Sequence, residues 1–182
     1  MGVLLVPYDR LWPVRYEEIA EEIRQLGDGD WLVEHIGSTA VQGMAAKPII
    51  DLAVRIRDDD EVDRYRPPLE LAGWSLGSGI TMHRVMVFTE AGIRTRIAHF
   101  FTRQDWDAVN QRILRDWPRQ HPHDAARYLA AKRAAEAAAE RGERTYNEGK
   151  TAVIQEIVDR ARAARGMPPS SAYDKAGDIR PV

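Results

Sequence analysis

The stretch that most constrains the fold is a pair of apolar runs joined by a turn of small residues. The runs at 31–36 and 49–56 predict two strands, and the turn between them opens with Gly37 and Ser38. Glycine lets a backbone approach a ligand closely, and N–H groups at the start of a helix can face an anion. Asp51 in the second run is an oxygen donor of the kind that divalent cations prefer. The arrangement is suited to holding a phosphate near a metal ion.

The residues between the two strands add a hydroxyl and a cation. Thr39 starts a short helix expected over 39–44, and Lys47 comes four residues before Asp51. A purely structural role is also open, because glycine fits a tight turn and Ser38 can cap the helix. The combination favours ligand binding, with Lys47 or a metal as the partner that a buried carboxylate needs.

Alternation along the second run predicts which of its faces is buried. One face carries four large apolar residues, Ile50, Leu52, Val54 and Ile56. The other face carries Ile49, Asp51, Ala53 and Arg55. Because successive strand residues point to opposite sides, the first of these faces is expected to be the buried one.

The rest of the chain contains strands only before residue 102 and helices after it. Helical patterns are expected over about 13–26, 60–73 (interrupted by Pro67 and Pro68), 106–117, 123–141 and 143–164, and a hairpin over 84–89 and 93–101. This order predicts an α+β fold. Residues 1–102 would form the core, 103–165 would pack on it as part of the same domain, and 166–182 would be a disordered tail.

Composition excludes several classes of function. The net charge of −2 gives no overall basic surface for nucleic acid. The absence of cysteine removes thiol nucleophiles and thiolate metal sites, and it fits a reducing cytoplasm. No apolar run approaches the roughly 20 residues that span a bilayer. We therefore expect a cytoplasmic protein with a small-molecule ligand and no membrane partner, and the oligomeric state stays open.

Charged and titratable residues outside the turn are further candidates. His35 and His99 lie in predicted strands and could converge with Asp51 as a transition-metal triad or an acid–base pair. A histidine among apolar neighbours is more commonly structural, so their roles stay open. Arg94 and Arg96 are expected to alternate onto the face opposite His99, either solvated or as an anion clamp.

Two tyrosine–lysine pairs occur in the C-terminal helices. Tyr128 and Lys132 are four residues apart, as are Tyr146 and Lys150, so each pair projects from one helix face. The tyrosines favour packing contacts. The lysines could reach the phosphates of a ligand if these helices cover the site.

The order of these motifs resembles the GrpB family, a branch of the nucleotidyltransferase superfamily, over about residues 3–160. The resemblance is strongest at 34–41 and 43–51. It is carried further by Pro7-Tyr8-Asp9, Trp12, His83-Arg84, His99, Arg115-Asp116, His121-Pro122, Tyr128, Lys132, Tyr146 and Lys150. It implies a nucleotidyltransferase-like fold with a small mixed β-sheet, packed helices and a C-terminal helical extension.

The resemblance also implies a site and its cofactors. Superfamily enzymes transfer a nucleoside monophosphate from a nucleoside triphosphate. Their Gly-Ser turn binds the triphosphate, and two or three carboxylates hold two magnesium ions. We therefore expect a nucleoside triphosphate and Mg²⁺ or Mn²⁺ as cofactors. The expected ligand-binding residues are Gly37, Ser38, Thr39, Lys47, Arg84, Lys132 and Lys150, the catalytic residues are Asp51, His35 and His99, and the metal ligand is Asp51.

The chain departs from the superfamily pattern at the metal-binding acids. Asp51 has Ile49 and Ala53 two residues away, where an acid-x-acid pair is usual, and His99 stands where a third carboxylate is expected. Two-metal transfer needs negative ligands that collect two dications about 4 Å apart. Two alternatives therefore stay open: a non-catalytic ligand-binding or accessory module of the same fold, and a His/Asp transition-metal enzyme of another reaction class.

Overall fold

A five-stranded mixed sheet forms the centre of the computed structural model, which describes residues 5–78, 80, 82–143 and 145–172. The strands are β1 (Leu32–Ile36), β2 (Ile50–Ile56), β3 (Trp74–Leu76), β4 (Arg84–Glu90) and β5 (Ile93–Thr102). Their order in the sheet is β1-β2-β5-β4-β3, with β2 and β5 parallel and the other pairs antiparallel. The α+β class and the mixed sheet are confirmed, and β3 is a short edge strand that the sequence did not predict.

Within the described ranges, five α-helices accompany the sheet. They are α1 (Trp12–Leu26), α2 (Asp59–Leu71), α3 (Asn110–Gln120), α4 (Pro122–Glu140) and α5 (Tyr146–Ala164). The main core joins α1 and α2 to the sheet face that carries Leu52, Val54 and Phe100. That face includes the apolar side of β2 predicted to be buried. A second cluster on the opposite face joins Ile36 and Ala53 to residues that precede α3.

Three predicted helices differ in their bounds. The helix expected over 39–44 is a single 3-10 turn, Ser38–Ala40. Another 3-10 turn, Trp106–Ala108, precedes α3, which begins only at Asn110. The prolines at 67 and 68 do not interrupt α2. A proline keeps a helical φ, so it costs the helix hydrogen bonds without necessarily ending it.

A β-bulge in the hairpin corrects the prediction for Arg94, while Arg96 lies opposite His99 as expected. The pairing steps from Phe88↔Arg96 to Thr89↔Arg94, which leaves Thr95 as an extra residue in β5. An extra residue reverses the alternation of side chains beyond it. Arg96 therefore stacks on Phe88 on the core face, at 4.2 Å from the ring centroid, while Arg94 lies on the other face with His99.

The chain after α5 returns to the C-terminal helices. Asn110 Nδ2 donates to the Ser171 carbonyl at 2.8 Å, and Gln155 Nε2 donates to the Ser170 carbonyl at 2.9 Å. These contacts involve the first part of the predicted tail, and residues 173–182 lie outside the described residues. Within the described part of the chain, no helix has the length and apolar character needed to cross a membrane.

Candidate functional site

The backbone of the turn after β1 lies close to the carboxylate of Asp51. Gly37 has φ +72° and ψ −175°, a region open essentially to glycine. A Cβ at this position would overlap Oδ2 of Asp51 and would lie 3.1 Å from the Cβ and Cγ of Asp51. Antiparallel pairing of Ile36 with Asp51 sets this approach. The turn therefore requires glycine for both its conformation and its contact.

A cavity of about 630 Å³ lies between this turn, the sheet and the C-terminal helices. Its lining contains four basic side chains, Lys47, Arg94, Lys132 and Lys150. It also contains Ser38, Thr39, Asp51, His99, Tyr146 and Asn147. A smaller cavity of about 230 Å³ adjoins it and shares Ser38, Asp51, His99 and Lys150. The basic residues come from four separate parts of the fold, so only the folded chain brings them together.

Lys132 is buried in the wall of the large cavity, with 2% of its surface exposed. Its ammonium donates to the carbonyl of Ala45. Burial, together with repulsion from Lys150, lowers the pKa of Lys132 to about 7, although Asp51 attracts its charge. The charge of this lysine therefore changes near neutral pH.

The two tyrosines predicted to pack line the two adjoining cavities, Tyr146 the large one and Tyr128 the smaller one. Lys47 Nζ and Lys150 Nζ lie 4.3 and 4.5 Å from the ring centroid of Tyr146, within cation–π range. Ser38 Oγ donates to Tyr128 Oη at 3.4 Å. Burial raises the pKa of both phenols, so they stay neutral. These rings hold the lysines and the serine at the wall of the cavity.

His99 lies beside Asp51, and a second histidine contacts His99. His99 Nε2 lies 3.9 Å from Asp51 Oδ1, and His99 Nδ1 lies 2.8 Å from His83 Nε2. Burial and the neighbouring His99 lower the pKa of His83 to about 3, so His83 is neutral at pH 7. His83 was part of the motif His83-Arg84, but its position before β4, outside any periodic pattern, gave no sign of this contact.

His35 does not join Asp51 and His99, which corrects the predicted triad. It pairs with Leu52 in the sheet and so lies on the core face, whereas Asp51 points to the other. His35 stacks on Tyr16 with 4.9 Å between ring centroids, and its Nε2 lies 3.0 Å from Thr39 Oγ1. Burial lowers the pKa of His35 to about 4. Its contacts are those of a neutral packing residue.

Arg84 lies outside the cavity. It lies on the same face of β4 as Met86, which is the core face, and its guanidinium pairs with Asp63 of α2 at 3.0 Å. Val85 and Val87, the residues of opposite orientation, line the cavity instead. Arg94, turned by the bulge, is the hairpin arginine that reaches the site.

The donor set at Asp51 does not fit the two-magnesium site of the superfamily. One carboxylate and two imidazoles replace the expected acids, and magnesium prefers oxygen ligands. Among the described residues, no three or more His, Cys, Asp or Glu side chains are grouped so as to hold a metal ion.

The sheet order and the placement of the Gly37-Ser38 turn beside Asp51 define a protein of nucleotidyltransferase-like fold. Terminal uridylyl transferase 4 from Trypanosoma brucei, solved with bound dUTP, shares this fold with a TM-score of 0.55 and 13% identity. The match covers 94% of this chain and 64% of that one. At that identity the likeness shows the fold alone.

Within this class, the chain belongs to the GrpB family. The family model described as GrpB protein matches residues 2–160. A UPF0157 protein of Halalkalibacterium halodurans is 33% identical over 166 residues, which cover 89% of this chain and 84% of the relative. The crystal structure of the conserved protein GrpB from Enterococcus faecalis matches with a TM-score of 0.77 and 26% identity, covering 90% of this chain and 99% of that one.

Proposed function

We propose that this protein binds a phosphorylated small molecule of the nucleotide class in the large cavity. The observation that carries the proposal is the convergence of four basic side chains on a cavity that has Ser38 and one carboxylate in its wall. Ammonium and guanidinium groups give short, charge-assisted hydrogen bonds to phosphate oxygens. The nucleotide-bound uridylyl transferase of the same fold supports the choice of ligand class.

The charge balance of the cavity favours an anion with several negative charges. Three lysines and Arg94 face the single carboxylate of Asp51, so the lining carries a positive excess. In the two-metal sites of the superfamily, magnesium ions offset the charge of the triphosphate. In this cavity the basic side chains would offset the charge of the phosphates, without a two-magnesium site.

Asp51 and His99 are the groups placed to act on a bound ligand. A carboxylate beside an imidazole can accept a proton from a hydroxyl group that attacks the α-phosphate, with pyrophosphate leaving. The single carboxylate equally favours a module that binds its ligand without turnover, and release of pyrophosphate distinguishes the two functions.

Calorimetric titration with ATP, ADP, AMP and inorganic triphosphate tests the binding. Lys150→Met is expected to weaken the binding of ATP at least tenfold, because it removes a charged partner worth about 1.5–3 kcal/mol. Arg84→Met is the matched control, since it removes the same charge outside the cavity, and its effect should stay below about twofold. Equal losses in the two variants, or no binding of any of these compounds to the wild type, would contradict the proposal.

The same samples distinguish an enzyme from a binding module. Pyrophosphate release is measured with ATP and UTP in the presence of Mg²⁺, Mn²⁺ or Zn²⁺, with Asp51→Asn as the inactive control. Binding without release identifies the module, and release that disappears in the variant identifies an enzyme that cleaves the bond between the α- and β-phosphates, with a hydroxyl group or water as the acceptor.

A further inference from the structure

A histidine of the cavity wall beside Asp51, His99, is hydrogen-bonded to a second histidine, His83. His83 Nε2 and His99 Nδ1 are 2.8 Å apart, and the ring of His83 packs on Phe101 with 4.3 Å between centroids. The other ring nitrogen of His99, Nε2, points toward Asp51 Oδ1 at 3.9 Å. His99 therefore lies between a nitrogen partner and a carboxylate.

The hydrogen bond between the histidines contains one proton, and its direction sets the tautomer of His99. If His83 accepted this bond, His99 would carry its proton on Nδ1 and would turn a bare Nε2 toward the carboxylate, so two acceptors would face each other. If His83 donates, His99 carries its proton on Nε2 and directs an N–H at Asp51. The second arrangement is favoured electrostatically, and the neutral state of His83 at pH 7 permits it.

The gap between His99 and Asp51 selects the group that fits there. A separation of 3.9 Å is too long for a direct hydrogen bond, but one oxygen atom can bridge it. That oxygen accepts from His99 Nε2–H and donates to Asp51. A hydroxyl group does both, whereas an ionised phosphate oxygen can only accept and would meet the carboxylate without a proton between them.

We propose that His83 is a positioning residue that fixes His99 as an Nε2–H donor, so that His99 and Asp51 together bind one hydroxyl group. The tautomer is independent of any ligand. The assignment of a hydroxyl group rests on the proposed function, because that group belongs to the phosphorylated molecule held by the basic side chains.

Nitrogen-15 NMR of the full chain labelled at histidine reads the tautomer directly. The wild-type spectrum is expected to show His99 protonated at Nε2 and bare at Nδ1. His83→Gln keeps an N–H donor and should preserve that pattern, whereas His83→Phe keeps a ring against Phe101 without a donor and should give a mixture of tautomers. His35 lies on the other face of the sheet, so its unchanged signals report that each variant is folded. Protonation at Nδ1 in the wild type, or identical His99 signals in the two variants, would overturn the assignment.

In uniformly nitrogen-15-labelled protein, glycerol 3-phosphate and inorganic phosphate then separate a ligand hydroxyl from a bridging water. Both should move the backbone amide signal of Lys150, and only glycerol 3-phosphate should move the Nε2 signal of His99. An equal shift of His99 with both compounds, or a Lys150 shift with no change at His99, would overturn the hydroxyl assignment alone. No shift at either residue would overturn phosphate binding, and the hydroxyl assignment with it.

Discussion

Replacing Gly37 with alanine is expected to destabilise the protein through two separate effects. The new side chain would have to adopt φ +72°, and its Cβ would overlap the Asp51 carboxylate. A non-glycine residue in this backbone region costs about 1–3 kcal/mol. Overpacking against the Asp51 side chain adds about 1–3 kcal/mol. The free energy of unfolding should therefore fall by about 2–6 kcal/mol, a large share of the typical 5–15 kcal/mol.

Two other glycines separate strain from overlap. Gly43 has φ +78°, and a Cβ added there would meet no atom within 4 Å, so Gly43→Ala should lose only the strain contribution of about 1–2 kcal/mol. Gly29 has neither a positive φ nor a close neighbour, so Gly29→Ala should be neutral or slightly stabilising. Urea denaturation followed by circular dichroism measures all three. By thermal unfolding, Gly37→Ala should lower Tm by roughly 4–20 °C.

The double variant Gly37→Ala/Asp51→Ala tests the overlap itself. Without the carboxylate, the added cost of Gly37→Ala should fall close to the strain contribution, since only the 3.1 Å contact with the Cβ of residue 51 remains. The reasoning is refuted if Gly37→Ala destabilises the protein no more than Gly43→Ala does. It is also refuted if the cost of Gly37→Ala is the same with and without the Asp51 carboxylate.

Three further predictions concern stability and the placement of charge. Burial lowers the pKa of Lys132 from 10.5 to about 7, so the unfolded chain binds a proton that the folded chain lacks between these values. Wild-type stability should therefore rise with pH relative to Lys132→Met in that window, by up to about 1.4 kcal/mol per unit, and parallel pH curves in urea would contradict this. Glu34→Gln should lower the free energy of unfolding by about 1–3 kcal/mol at pH 7, because burial raises the pKa of Glu34 but Arg112 and Arg115 outweigh it and lower that pKa. The difference from wild type should vanish as acid protonates Glu34. A loss of stability that persists in acid would exclude the charge of Glu34 as its cause. Arg96→Met should lower Tm while Arg94→Met lowers only ligand affinity, and equal effects of the two on Tm would refute the bulge.

The buried face of β2 could be predicted because alternation within one strand is a local property. Relations between strands could not be predicted in the same way. His35 lies two residues from Gly37 in the sequence, but the register that pairs Ile36 with Asp51 turns His35 to the core. A one-residue change of register reverses every side chain of a strand, and the apolar pattern of β1 does not specify it.

The hairpin shows the same limit for a single inserted residue. Its turn was predictable because a glycine, Gly92, stands between the two strand patterns. In the structure both Ala91 and Gly92 have positive φ. The bulge at Thr95 leaves no signal in a strand whose residues are all compatible with pairing, yet it decides that Arg94 and not Arg96 reaches the cavity. Contacts that depend on pairing between distant segments, such as those of His83, follow only from the folded structure.

The lysines that line the cavity change the role expected of Asp51. In a two-metal site the aspartate holds the cation that binds the phosphates, so its loss abolishes ligand binding. In this cavity the ammonium groups of three lysines are available to the phosphates, and Asp51 is the one carboxylate among the described residues of the lining. Asp51→Asn should therefore preserve or tighten the binding of ATP, equally with Mg²⁺ and with a chelator present, while it abolishes any pyrophosphate release. Weaker binding in this variant that appears only when Mg²⁺ is present would show that a metal on Asp51, and not the lysines, holds the phosphates.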